Sequence, residues 1–254
     1  MSKLRLWLPA LLGLTLLVAC GEEPRIPIGD PKEELTDAPK YFGVEPCQCY
    51  EYKSLDPAEP RLLGIAVERV DDFYSDERGA DRYELVYRLG GTWQMRYVLD
   101  PSQKPDLLLS RVYTGQGVTD DEWRMSPAVP LLRYPVKADG LIEKSTVATL
   151  HHNGLPVEGE TRSVEYDASY AGLEEVRASL DGENFQTFEA MRVEYFETPW
   201  NEQYRWFVPE VGNVKLRVKL KSMDRASDWV LHNIRTLDSS CPGEAVHDFC
   251  GGPR

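Results

Sequence analysis

A chain of 254 residues with 42% hydrophobic, 28% charged and 10% aromatic side chains can bury a sizeable core, which excludes a disordered or collagen-like polymer. Its formal net charge is -13; the first nineteen residues supply Lys3, Arg5 and no acid, so from Cys20 onward 27 basic side chains face 42 acidic ones, a net of -15. A surface of that sign repels a phosphate backbone at long range and argues against sequence-independent binding of nucleic acid.

At the amino terminus Lys3 and Arg5 precede an apolar run, Leu6 to Val18, interrupted by Pro9, Gly13 and Thr15 and followed by Ala19. Its thirteen residues fall short of the roughly 20 that a bilayer-spanning helix needs, so the run reads as a secretory signal. The tetrad Leu17-Val18-Ala19-Cys20 resembles the bacterial lipoprotein signal. In that signal the cysteine thiol is diacylated, the chain is cut before it, and the new amine is acylated, commonly with palmitate-type chains. The resemblance therefore implies a signal peptide over 1–19 and lipid attachment at Cys20. Several acyl chains on one residue hold a protein stably on a membrane, since each buried methylene contributes roughly 0.8 kcal/mol. The alternative is a soluble secreted protein in which Cys20 merely lies near the cut. In lipoproteins of two-membrane bacteria an Asp after the acylated cysteine retains the protein at the inner membrane. Gly21 stands there, so the resemblance implies a lipid-anchored protein of the cell envelope at the outer membrane.

Residues 20–40 read as a disordered tether. Pro24, Pro27, Pro31 and Pro39 and six acids accompany Ile26, Ile28 and Leu35, too little apolar surface to offset the ordering entropy. As a flexible coil the segment reaches about 25 Å and holds the following domain off the bilayer.

From Tyr41 to Arg254 the dominant period is two, and no composition break divides the stretch, so it is read as one domain. Tyr83, Leu85, Tyr87 and Leu89 alternate with polar residues, Gly90-Gly91 follow, and Trp93, Met95, Tyr97 and Leu99 alternate again, the signature of a β-hairpin. In Val214 to Lys221 four aliphatics alternate with four cations, as in an antiparallel strand with one wet face. Weaker runs cover Leu62 to Val70, Leu107 to Thr114, Thr146 to His151, Val157 to Tyr166, Leu173 to Leu180, Phe185 to Phe196, Gln203 to Val208 and Trp229 to Leu237. Thr119 to Arg124 and Ser222 to Trp229 could form short helical pieces. The expected fold is mainly β: a single antiparallel curved sheet, half-barrel or sandwich, with few short helices.

Three stretches carry a wider resemblance. Residues 41–52 (YFGVEPCQCYEY), 130–140 and 204–215 (YRWFVPEVGNVK) resemble segments of uncharacterised β-rich extracytoplasmic lipoproteins, the last one their "WYAPGVGLVK" signature. Glu210 stands where that signature carries Gly, and Tyr50 replaces a Trp. The resemblance implies an antiparallel sheet akin to the half-barrels of lipoprotein carriers, and it supplies no catalytic residue.

Beyond Cys20, the four cysteines Cys47, Cys49, Cys241 and Cys250 make an even set in an exported chain, implying two disulfides. On a strand, Cys47 and Cys49 would have Cα atoms about 6.6 Å apart with near-parallel Cβ vectors, which favours pairing with Cys241 and Cys250 over pairing with each other. A Cys-x-Cys redox pair and a zinc site using His247 are the competing readings. His151-His152 precedes Asn153-Gly154 and reads as a solvated hairpin end, since adjacent strand residues point to opposite faces and make a poor shared metal site. The acidic run from Asp71 to Asp81 lacks the ordered spacing of a calcium loop. Hydrolase, P-loop and dinucleotide motifs are absent from the sequence, so no catalytic residue, metal or cofactor is expected.

Two functions of different class follow. The first is a non-enzymatic envelope lipoprotein that binds an apolar ligand or a protein partner, with Trp93 and Trp206 facing a ligand groove. The second is a surface glycan or peptidoglycan hydrolase using a carboxylate pair.

Overall fold

The alternating runs become strands because period-two sequences can bury one face only in a sheet. The computed structural model describes residues 47–58, 61–70, 82–90, 92–100, 106–113, 121–133, 140–196, 203–219, 223, 225–236 and 250. In it twelve strands follow one another: β1 (Gln48–Ser54), β2 (Leu62–Val70), β3 (Arg82–Leu89), β4 (Thr92–Asp100), β5 (Leu107–Tyr113), β6 (Asp121–Leu132), β7 (Leu141–His152), β8 (Leu155–Ser179), β9 (Phe185–Phe196), β10 (Gln203–Val208), β11 (Gly212–Val218) and β12 (Ser227–Thr236). Each pairs antiparallel with its neighbours in sequence, and β1 pairs with β12 as well as β2. The sheet is antiparallel and curved, as expected, and it goes further than a half-barrel or sandwich by closing into a ring. Closure gives every strand two neighbours and so removes the row of unpaired N–H and C=O groups that an open edge would present.

Residues 121–124 and 227–229, in the two stretches read as possible helix, are strand. In β6 the reason is visible along the run. Trp123 and Met125 are buried on one face, while Arg124 pairs with Glu122 on the other. A strand satisfies that alternation, whereas a helix of six residues would carry the full nucleation cost for few hydrogen bonds. The run Val157 to Tyr166 and the run from Leu173, up to Ser179, belong to one strand, β8, whose register against β9 shifts between Tyr170 and Gly172. Gly172 sits at φ 103°, a conformation closed to most side chains, and this lets the strand bulge and continue.

The hairpin end after His151-His152 forms as expected. Asn153 and Gly154 adopt φ 50° and 80° and join β7 to β8. His152 Nδ1 lies 2.7 Å from an Asp121 carboxylate oxygen on a partly exposed surface.

In β11, Val214, Leu216 and Val218 are buried, and the alternate Arg217 makes a two-pronged pair with Asp228 on β12, Nε to Oδ1 at 2.9 Å and Nη2 to Oδ2 at 2.7 Å. A membrane-spanning barrel needs the reverse, an apolar outer wall.

The end of the β8–β9 hairpin reaches past β10 and β11 to β12. Ile234 N–H donates to the Leu180 carbonyl at 2.9 Å, Asp181 bridges Asn233, and the rings of Phe185 and His232 stack with centroids 6.0 Å apart. Within the turn the Asp181 carboxylate accepts the backbone N–H groups of Glu183 and Asn184 at 2.9 and 2.8 Å and the Asn184 side-chain amide at 2.7 Å. Those bonds, the Asn184 amide first, hold its carboxyl well below the usual carboxylate range.

Between β10 and β11 the turn places Glu210 at φ 63°, with Val211 N–H donating to the Val208 carbonyl at 3.2 Å. A side chain there costs roughly 1–2 kcal/mol relative to glycine. Glu210→Gly, which restores the residue of the lipoprotein-like signature, is therefore expected to raise stability by about 1 kcal/mol. Denaturant unfolding checks this, and a destabilised variant would contradict it.

Candidate functional site

Twelve strands enclose a wider interior than the eight that aliphatic side chains can fill, so long side chains are needed to reach the axis. Here they include Tyr52, Tyr87, Tyr166, Trp229 and Arg205, all essentially without exposure. Arg205 on β10 and Tyr87 on β3 lie five steps apart round the ring, and the Arg205 guanidinium nevertheless donates from Nη2 to the Tyr87 hydroxyl. This bond crosses the barrel and fixes which face of β10 points inward. Gln203, two residues earlier on the same face, accepts from Arg205 Nε at 3.1 Å and Nη2 at 2.9 Å through its side-chain oxygen, and its amide nitrogen donates to the Tyr97 hydroxyl. The rings of Tyr87 and Tyr97 pack at 5.3 Å between centroids. Tyr195, paired in register with Gln203, donates to the Leu131 carbonyl at 3.1 Å and packs on Tyr166 at 6.1 Å.

Among the described residues the interior thus holds a polar centre inside an apolar wall, the Arg205 guanidinium among phenols and an amide. Burial opposes the Arg205 charge, but the phenolic oxygens of Tyr87, Tyr195 and Tyr97 more than offset it and hold the group above its ordinary range. For the phenols burial acts first, and it pushes Tyr52, Tyr166 and Tyr195 well above the ordinary tyrosine value of 10.0. A raised folded-state value means that the contribution to stability is complete below pH 10 and lost as pH rises past it. Alkaline titration followed by tyrosinate absorbance should therefore show these three phenols ionising together with unfolding. Reversible ionisation of all three in a folded barrel would contradict their placement.

The sequence-derived candidates fall differently. Trp206 does not face the interior: it follows Arg205 on β10, so it points to the opposite, outer face. There its indole N–H donates to Glu174 at 2.7 Å and the Lys215 ammonium lies 4.3 Å from the ring centroid, while Arg192 also pairs with Glu174. Trp206 is nearly buried by these neighbours, which corrects the expectation that it lines a groove inside the sheet. Trp93 lies on β4, but its side chain is outside the described residues. Cys20, Cys241 and His247 and the acidic run 71–81 also lie outside them. Cys49 on β1 bonds to Cys250, with Cα atoms 5.6 Å apart and a sequence separation of 201, and Cys47 is disulfide-bonded too.

The residues that the sequence did not flag are Gln203, Arg205 and the phenols around them. A signal was present in Gln203-x-Arg205-x-Phe207, but the facing set Tyr204-x-Trp206-x-Val208 is the more apolar and so claims the inside on pattern alone.

No protein-family model matches this chain, and no curated protein matches it. Two solved structures show some likeness. One, from Bacteroides fragilis NCTC 9343, is described as an exported protein with a YmcC-like fold; it has a TM-score of 0.41 and 11% identity, and the match covers 80% of this chain and 100% of that one. The other is described as a lipoprotein, from Parabacteroides distasonis ATCC 8503, with a TM-score of 0.35, 10% identity and the same coverage of 80% and 100%. At these scores the likenesses carry no argument about what this chain does.

Proposed function

We propose that this chain is an exported lipoprotein, anchored to the outer membrane through Cys20, whose barrel serves as a non-enzymatic binding module of the cell envelope. The observation that carries the reading is the bridge between Cys49, in the first strand, and Cys250, near the carboxyl end. Disulfides persist in oxidising compartments outside the cytoplasm, and here one ties the ends of a barrel that begins just after a lipoprotein-like signal and a tether. Three of the buried carboxylates among the described residues, Glu51, Glu84 and Glu122, speak for the wall rather than for acid–base work. Glu51 is held by Arg235 at 2.5 Å and by Asn233 at 3.1 Å, Glu122 by Arg124, and Glu84 lies 3.5 Å from Arg96. Each is committed to a cation on the sheet, an arrangement unlike the free pair that a glycoside hydrolase sets across its cleft. The barrel's occupant in this reading is an apolar ligand, with an envelope protein on the outer wall as the alternative.

Metabolic labelling with a clickable fatty acid tests the anchor. The wild-type chain is expected to take the label and Cys20→Ser to lose it, with the signal peptide left uncleaved. Equal labelling of the two would overturn the reading.

A further inference from the structure

We propose that this chain reaches its native bridges by thiol–disulfide isomerisation, and that a dithiol isomerase of the exported compartment is a partner in its maturation. The inference rests on the reading of the chain as an exported lipoprotein, which places Cys20 under acyl chains and leaves four cysteines to pair.

Cys49 is joined to Cys250 across a separation of 201 residues, and Cys47, two residues before Cys49, is disulfide-bonded as well. Cys47 therefore bonds neither Cys49 nor Cys250, and with Cys20 acylated its partner is Cys241. Each bridge ties the front of the domain to its end. Neither joins neighbours in the sequence.

The unfolded chain favours the opposite pairing. Cys241 and Cys250 are nine residues apart, and Cys47 and Cys49 only two. Loop closure becomes more costly with three-halves of the logarithm of loop length, so a loop of nine residues closes roughly a hundred times more readily than one of 201. Export also brings Cys47 and Cys49 to the oxidising side before the other two. The distant cysteines are neighbours in space only after the ring closes, when β1 lies beside β12 with Cys49 opposite Arg235. That contact joins the two ends of the domain, and its closure entropy has to be met before it rewards the fold. An oxidant that acts first leaves the local bridges, Cys47–Cys49 and Cys241–Cys250. In the finished barrel Cys49 and Cys250 have no exposure, so a thiolate reaches them before closure and not after it.

The rearrangement needs no net oxidant. The isomerase thiolate attacks the Cys47 sulfur of the Cys47–Cys49 bridge, forming a mixed disulfide and expelling the Cys49 thiolate. That thiolate attacks Cys250 of the other local bridge, which forms Cys49–Cys250 and expels the Cys241 thiolate. Cys241 then attacks Cys47 in the mixed disulfide, forms Cys47–Cys241 and returns the isomerase thiolate. Two bridges stand before and after, so electrons balance. Without a catalyst such exchange takes minutes to hours, during which the unclosed sheet would present its edges for aggregation.

The test takes the full acylated chain in nonionic detergent, reduced and unfolded, and removes the denaturant in the presence of diamide, an oxidant that supplies no thiol for exchange. Peptide mapping should recover Cys47–Cys49 and Cys241–Cys250 as the main bridges. Once diamide is removed, a catalytic amount of reduced disulfide isomerase should convert most of the chain to Cys49–Cys250, while a sample without it stays as it was. A chain carrying both Cys47→Ala and Cys241→Ala has no wrong partner to choose and should form Cys49–Cys250 under diamide alone. Native pairing of the wild-type chain under diamide alone, local bridges that the isomerase leaves in place, or a double variant that needs the isomerase all the same would each overturn the proposal. The mass of the Cys20 peptide is read from the same map, so that a bare Cys20 counts against the anchor while the fate of Cys49 decides the isomerisation.

Discussion

Val218→Asp is expected to cost the barrel about 3 kcal/mol or more. Val218 is 1% exposed on the inward face of β11, where it pairs in register with Gln203 of β10 and Ser227 of β12. A carboxylate there leaves water, and the nearest guanidinium, Arg205, already donates to Gln203 and Tyr87, so the new group must either remain charged at high cost or take up a proton. The neighbouring Lys219 is exposed just beyond the strand, and Lys219→Asp should cost no more than about 0.5 kcal/mol. Urea unfolding of both variants checks the contrast. Comparable losses at the two positions would mean that the inward face of β11 has been assigned wrongly.

Opening the Cys49–Cys250 bridge should be the other large effect. The bond spans 201 residues, for which the chain-entropy treatment gives about 5 kcal/mol when no other bridge ties the same ends; Cys47, two residues earlier, is disulfide-bonded as well, so the expected loss for this bridge alone is about 2 kcal/mol, the low end for native disulfides of secreted domains. Its position sharpens the expectation. β1 is the strand at which the ring closes, pairing with β12 on one side and β2 on the other. Cys49 sits at the start of both pairings, opposite Arg235 and Ala66. Loosening the chain end from Cys49 therefore weakens the one contact of the ring that joins residues far apart in sequence, and it makes closure, a long-range step, more costly in entropy. Unfolding of Cys49→Ala against wild type under non-reducing conditions measures the loss. A difference below about 0.5 kcal/mol would show that the β1–β12 seam holds without the bridge.

Most of the sheet was legible in the sequence because strands write themselves in period two. The Phe185–Phe196 and Gln203–Val208 boundaries match the runs residue for residue, and turn residues such as Asn153-Gly154 mark a hairpin through their backbone freedom. What periodicity does not encode is whether a curved sheet closes. That depends on the pairing of β1 with β12, a contact between the two ends of the domain. Periodicity also fails where the inward face carries the more polar residues. On β10 the pattern favours Tyr204, Trp206 and Val208 as the buried set, but Gln203, Arg205 and Phe207 point inward because Arg205 and Gln203 find Tyr87 and Tyr97 across the lumen. Trp206, displaced to the outside, is covered by Lys215 and bonded to Glu174 instead. The strand that defies its own pattern is the one that builds the candidate site, as expected where function overrides local preference. Glu210, held at φ 63° next to that strand, is a second local exception.

The proposed function requires an oxidised barrel on a lipid anchor. Mass spectrometry of the chain isolated from the membranes of its own host, without reductant, tests it most directly. The expected result is a chain beginning at an acylated Cys20, without residues 1–19, in which the peptide containing Cys49 is linked to the peptide containing Cys250. A chain that retains residues 1–19, carries an unmodified Cys20 and shows a free thiol at Cys49 would contradict it.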